Sequence, residues 1–211
     1  MEVHPPHRPI HSVKEFMVHL LAITIGLLIA LGLESSVEWV HHHHLAQDAR
    51  QNILQEMRDN QQVVARHLIA MPAEQQHLQE MMSVVDDMQN GRPHKPLQNF
   101  NWTYSQLNDS AWNTASSTGA IEFMSYNEVT LYSRIYAFQK VYGSTVERNL
   151  NNRHDMNVFL ERMMEAKGKL SNDEYESGKR TIESEIISIQ EFKEADSALN
   201  AIYRLVLTKK K

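Results

Sequence analysis

Residues 16–33 read FMVHLLAITIGLLIALGL, a run of 18 without a formal charge in which His19 is the only ionisable group. At about 1.5 Å per residue such a run spans roughly 27 Å as a helix, close to a bilayer hydrocarbon core of about 30 Å. The reading is a transmembrane helix anchored by Phe16, Leu20, Leu27 and Leu31. Lys14 can snorkel outward at one end, and Trp39 sits near an interfacial level at the other. Two other readings compete. Ala30-Leu31-Gly32 loosely fits a small-residue cleavage site, but the apolar core is long for a signal peptide and no breaker follows it, so the helix is expected to be retained. A buried helix of a soluble core is the weaker alternative.

Arg8 and Lys14 precede the span, with His4, His7 and His11 as partial cations. Beyond it Glu34, Glu38 and Asp48 come before the first basic residue, Arg50. The positive-inside rule then predicts a cytoplasmic N-terminus and an exported C-terminal domain for this single pass. The expected organisation is a short tail over 1–15, a transmembrane helix over 16–33 and an extramembrane helical domain over 34–211.

From Leu33 to Met71 there is neither glycine nor proline, and Val40, Leu45, Ile53, Leu54, Met57, Val63, Val64, Leu68 and Ile69 recur at roughly helical intervals. This predicts that the membrane helix continues as a rod to about Ala70, projecting roughly 55 Å at 1.5 Å per residue. Met71-Pro72 is expected to break it, with a second helix from about Ala73 to Gln89 that ends at Asn90-Gly91. The stretch from Gly91 to Pro96 reads as a loop. Asp109 is a candidate cap for a short helix carrying Trp112 and closed by Gly119. Ser125-x-x-Glu128 and Ser171-x-x-Glu174 both have capping-box spacing and open two further long helices. The first has an apolar face of Val129, Leu131, Tyr132, Ile135, Tyr136, Phe138 and Val141, and its pattern runs past Gly143 to about Ala166. The second carries Ile182, Ile186, Ile189, Phe192, Leu199, Ile202 and Val206. No strand or hairpin signal appears. The fold class is all-α: an N-terminal transmembrane helix continuing into a long rod, packed with further helices as an extended helical bundle of coiled-coil character.

Composition narrows the chemistry. With 21 Lys+Arg against 26 Asp+Glu and no dense basic stripe, nucleic acid is excluded as the expected partner. The absence of cysteine removes disulfides, thiol nucleophiles and thiolate metal sites. There is no Gly-rich phosphate loop, no Gly-x-Ser-x-Gly elbow and no His-Glu-x-x-His, so no enzyme is expected. The most conspicuous polar feature is the run from His41 to His44. On a helix His41 and His44 share a face with Asp48 one turn on, a set that can hold Zn²⁺ or Ni²⁺ weakly. A wet, polar collar outside the bilayer is the plainer reading, a pH-responsive collar is a further one, and no dedicated cofactor is expected.

Glu38-x-x-His41 and Glu74-x-x-His77 match the pattern of carboxylate-bridged metal bundles, but a turn at Met71 would keep the two apart. His67 and His77 would then lie near that turn as solvated helix-end residues. His19, three residues into the apolar run, reads as an interfacial side chain before a functional one. Trp112, Tyr132 and Tyr136 make up a candidate interaction surface, against the alternative of a packed Trp before an ordinary helix stop. The methionine pairs Met81-Met82 and Met163-Met164 read as core filler, and Lys209-Lys210-Lys211 as a solvated tail.

The segment Ile23-Thr24-Ile25-Gly26-Leu27-Leu28-Ile29-Ala30-Leu31, followed by Glu38-Trp39, resembles a family of uncharacterised bacterial single-pass membrane proteins. Its members pair such an anchor with a Trp and a long polar helix. A second block of the resemblance is Trp112 to Ile121, with its Ser/Thr-Gly turn, followed by Tyr132, Tyr136 and Phe138. The resemblance covers about half the chain. It implies an N-terminal anchor with a helical domain of unknown function and brings no catalytic residues to carry over. The histidine run departs from it.

The expected function is therefore a non-catalytic, membrane-anchored helical protein, assembling with itself as a homo-oligomer or with other membrane-protein subunits. The alternative is a ligand- or metal-responsive sensor built on the bundle. Its signal would need a separate partner, because the tail over 1–15 is too short for an output domain.

Overall fold

The computed structural model describes residues 13–97 and 106–208. The N-terminal cations Arg8, His4, His7 and His11 and the Lys209-Lys210-Lys211 tail lie outside the described residues. Within them the chain is all-helical, in the order α1 (Val13–Gln89), α2 (Ser110–Ser117), a 3-10 turn (Ala120–Phe123), α3 (Tyr126–Glu165) and α4 (Asn172–Thr208). The coordinates divide into two compact units, Met1–Asp48 and Ala49–Lys211.

The described part of the first unit, from Val13, is the N-terminal part of α1. It contains a window long and apolar enough to cross a membrane by length and composition, and none of that window is buried. Phe16, Leu20, Leu27, Leu31 and Trp39 are all exposed. The segment also hides its own hydroxyls: Thr24 Oγ1 donates to the Leu20 carbonyl at 2.8 Å and Ser36 Oγ to the Gly32 carbonyl at 2.7 Å. Such back-bonding satisfies both of these hydroxyl protons within the helix.

The second unit is built on three long helices. Along α1 the buried positions from Ala49 are Ile53, Glu56, Met57, Asn60, Val64, His67, Met71, Glu74, Leu78, Met81 and Val85, with steps of three and four alternating from Met57 onward. α3 and α4 repeat the rule, with Tyr142, Val146, Asn149, Arg153 and Met156 on one and Ile182, Glu185, Ile189, Phe192, Asp196, Leu199 and Tyr203 on the other. A 3-4 alternation holds one narrow seam of a helix against its neighbours over many turns. α3 and α4 form an antiparallel hairpin; α1 runs parallel to α3, with Glu56 meeting Tyr136 and Glu74 meeting Arg153, and antiparallel to α4.

The helix ends follow local chemistry. Ser125 caps α3 in a full capping box with Glu128, and Ser171 does the same for α4, its hydroxyl accepting from the Glu174 amide. Between them Gly168 takes φ +73° and its amide donates back to the Met163 carbonyl at 3.0 Å, a left-handed stop. At Gly178 a Cβ would lie 2.0 Å from the Phe159 ring, so α3 and α4 approach closely there because one side chain is missing.

Three expectations require correction. The break at Met71-Pro72 is absent: Pro72 lies inside α1, and Gln89 ends one continuous helix. Pro72 faces solvent, while Met71 and Glu74 beside it are buried. The carbonyl that loses its i→i−4 donor is Leu68's, and seam packing on both sides carries the helix through. Asp109 occupies the N-cap of α2 but makes no side-chain capping bond. The apolar face of α3 is narrower than the pattern suggested, because Leu131 and Val141 are exposed.

Candidate functional site

The feature that separates the second unit from an ordinary helical core is a series of buried polar groups threaded along its seams. They form three nodes, each joining α1 to α3 or α4.

The first node lies where α2 meets α1. Glu56 is buried on α1; its Oε1 accepts from the Tyr136 hydroxyl at 2.6 Å, and its Oε2 from the Ser110 hydroxyl at 3.1 Å and the Ala111 amide at 2.8 Å. The carboxylate of α1 thus supplies the cap that Asp109 does not, beside the positive end of α2. Burial, then the Glu56 hydrogen bond, push the Tyr136 phenol well above its ordinary range. One turn on, Asn60 pins the loop before α2 from both sides: its Nδ2 donates to the Asn108 carbonyl at 2.7 Å, and its Oδ1 accepts from the Asn108 amide at 2.8 Å. Gln139 donates to the same carbonyl and accepts from the Tyr203 hydroxyl at 2.9 Å, so α1, α3 and α4 converge on one loop residue.

The second node is His67, Tyr142 and Asp196. His67 is only 6% exposed and Asp196 0%. The Tyr142 hydroxyl donates to Asp196 Oδ1 at 2.8 Å and lies 3.4 Å from His67 Nδ1, and His67 Nδ1 is 3.6 Å from Asp196 Oδ2. The Phe192 ring packs on both His67 and Tyr142, with centroids 5.6 and 5.5 Å away. The expectation that His67 and His77 are solvated helix-end residues near a turn fails here. His67 and His77 sit ten residues apart on one uninterrupted helix, and His67 is in the core.

The third node has two carboxylates and one guanidinium. Arg153 Nε donates to Glu185 Oε1 at 2.9 Å, and Arg153 Nη2 lies 3.8 Å from Glu74 Oε2. Asn149 Nδ2 donates to both Glu185 oxygens at 3.1 and 3.2 Å and reaches the Ser188 hydroxyl at 3.2 Å. Desolvation is the largest influence on both carboxyls and raises them above their ordinary value, with the Arg153 charge pulling against it.

The sequence-predicted residues have different fates. His41, His44 and Asp48 are exposed, and among the described residues no group of three His, Asp or Glu gathers closely enough to hold a metal ion. Trp39 stacks on His43 at 5.5 Å, giving the histidine run an aromatic neighbour within its own helix. Trp112 stacks on Tyr136 at 5.5 Å with the rings 13° apart. Tyr132 is fully enclosed and presents no surface to a partner. A groove of about 790 Å³ runs beside the stacked pair, lined by Asp109, Trp112, Tyr136, Lys140 and Glu147 among others. Glu74 of the Glu-x-x-His pattern lies against Arg153, its Oε2 3.8 Å from Nη2. Of the methionine pairs, Met81 and Met163 are core, while Met164 is exposed.

Sequence reasoning missed Glu56, Asn60, Asn149, Arg153, Glu185 and Asp196. The signal was present: each falls on the 3-4 alternation set by its apolar neighbours. Each node joins the packed helices, and Tyr136, Gln139 and Tyr142 of the first two also line the groove beside Trp112. No protein-family model, curated protein or solved structure matches the chain.

Proposed function

We propose that this chain is a non-catalytic, membrane-anchored helical protein whose bundle serves as an interaction or accessory subunit of a membrane assembly. One observation carries the reading. The apolar window at the start of α1 is wholly exposed, in a chain whose other long helices bury their apolar seams. That window needs a solvent of its own, and a bilayer supplies one. Residues 16–33 are then the span, 34–211 the extramembrane domain, and the uneven distribution of basic residues favours a cytoplasmic N-terminus in a bacterial inner membrane. The resemblance to uncharacterised bacterial single-pass proteins supports the same arrangement. Partners would be further copies of the chain or other membrane subunits.

The absence of cysteine makes the test clean. A Glu122→Cys variant expressed in intact bacteria should stay in the membrane after alkaline extraction and react with a membrane-impermeant maleimide. Release of the chain on extraction removes the anchor, and labelling only after lysis reverses the orientation. Native mass spectrometry of protein taken gently from membranes should find a fixed stoichiometry of copies or partner chains; strictly monomeric protein would count against an assembly role.

The groove beside Trp112 and Tyr136 favours a second reading, a sensor that binds a small molecule and signals through α1. Its metal-responsive form predicts saturable Zn²⁺ binding that is lost in a His41→Ala/His44→Ala variant.

A further inference from the structure

The Glu74–Arg153–Glu185 node holds two buried carboxylates and one guanidinium, and at Glu74 the charges of Arg153 and His67 oppose the burial that raises its carboxyl. From α1 it is faced by His67, from α3 by Asn149 and Arg153, and from α4 by Ser188 and Asp196, the last a further anion felt by Glu74. Two carboxylates drawn out of water beside one guanidinium do not both ionise without a large penalty.

The geometry says which one yields. Glu185 accepts from Arg153 Nε at 2.9 Å and from Asn149 Nδ2 at both of its oxygens, a set of donors that suits an anion. Glu74 meets the same guanidinium at 3.8 Å, an ion-pair distance beyond hydrogen-bond reach. We propose that Glu185 is the resident anion of the node, that Glu74 carries a proton, and that ionising Glu74 weakens the seating of α1 on the α3–α4 hairpin, so that acid tightens the bundle and alkali loosens it.

The sign follows from linkage. The Glu74 carboxyl is raised above its ordinary 4.5, chiefly by burial. A group raised on folding contributes stability that is complete below its unfolded value and is lost as pH rises through its folded value. Most soluble bundles, held by paired carboxylates, weaken in acid instead.

The test is denaturant unfolding of the full chain in detergent, from about pH 8 down to about pH 5, for the wild type and Glu74→Gln. Glutamine imitates the protonated side chain, so the two proteins should converge at the acid end. Toward alkaline pH the wild type should lose stability relative to the variant, by up to about tenfold in the unfolding constant per pH unit. Comparing the two proteins cancels contributions from groups far from residue 74 that the substitution does not touch. A constant offset between them at every pH would overturn the proposal. In Glu185→Gln the Glu74 carboxylate faces Arg153 without the competing Glu185 charge, so the relative slope should flatten or reverse; an unchanged slope also overturns the assignment. Should either variant fail to fold, infrared difference spectra of the wild type remain. A protonated-carboxyl carbonyl band at neutral pH that disappears toward alkaline pH is expected, and its absence sinks the proposal.

Discussion

The two ends of the bundle solve the same packing problem with different materials. Toward the α3–α4 turn, the seams hold Leu78, Met81, Val85, Met156, Phe159, Met163, Tyr175 and Ile182, an unbroken apolar cluster. Away from the turn, polar groups from Glu56 to Glu74, from Gln139 to Arg153 and from Glu185 to Asp196 interrupt the same seams. Apolar seams stabilise without much preference for register, since one methionine replaces another at small loss. A buried carboxylate or histidine has few acceptable neighbours, and sliding a helix by one heptad would leave it without them. The dry end therefore supplies stability, and the polar end supplies register and a handle for change.

The largest effect expected at the polar end comes from Arg153→Met, which strands Glu185 and should cost about 3–5 kcal/mol in chemical denaturation. Replacing the whole node (Glu74→Leu, Arg153→Met, Glu185→Leu) should recover most of that loss. Alternative registers or oligomers visible in native mass spectrometry would then mark what the node specifies. At the dry end Leu78→Ala should cost about 2–5 kcal/mol by leaving a cavity, with no change in oligomeric state. Gly178→Ala, which drives a Cβ into Phe159, should cost about 1–3 kcal/mol, and Phe159→Leu in the same chain should return part of it.

Smaller effects sharpen the contrast at the helix ends. Ser125→Ala removes the capping box of α3 and should cost about 1 kcal/mol. At the turn, Glu174 accepts from the Ser171 amide at 2.8 Å and from Arg162, which hold its carboxyl down to about 2. Its contribution is present above the ordinary 4.5 and is lost as pH falls through about 2, opposite in sign to that of Glu74. Hydrogen exchange at the start of α4 should accordingly quicken in strong acid in the wild type and change less in Glu174→Gln.

How much of this was legible depended on whether a residue's type agreed with its position. The caps at Ser125 and Ser171, the glycine stop after α2 and the long apolar window could all be read directly, because each motif carries its own mechanism. Pro72 misled because its local preference is strong and the packing of Met71 and Glu74 is invisible in a local window. The polar nodes were hidden for a related reason. Histidine, glutamate and arginine were assigned to solvent by type, although Asn60, His67 and Glu74 keep the spacing of Met57, Val64, Met71 and Leu78. Partners such as Asp196, far along the chain from His67, depend on which helices become neighbours, and periodicity within one helix does not record that.

Pro72 leaves α1 one rung short, since residue 72 has no amide proton to return to the Leu68 carbonyl. Considered as a mechanical element, a helix bears axial load through its ladder of hydrogen bonds in parallel with its side-chain contacts. Tension along α1 would concentrate at the missing rung, and the side chains nearest to it in the seam are His67, Met71 and Glu74. The helix has its fuse beside its two most sensitive polar nodes, so a pull too weak to unfold the dry end would be felt first by the groups that hold the register.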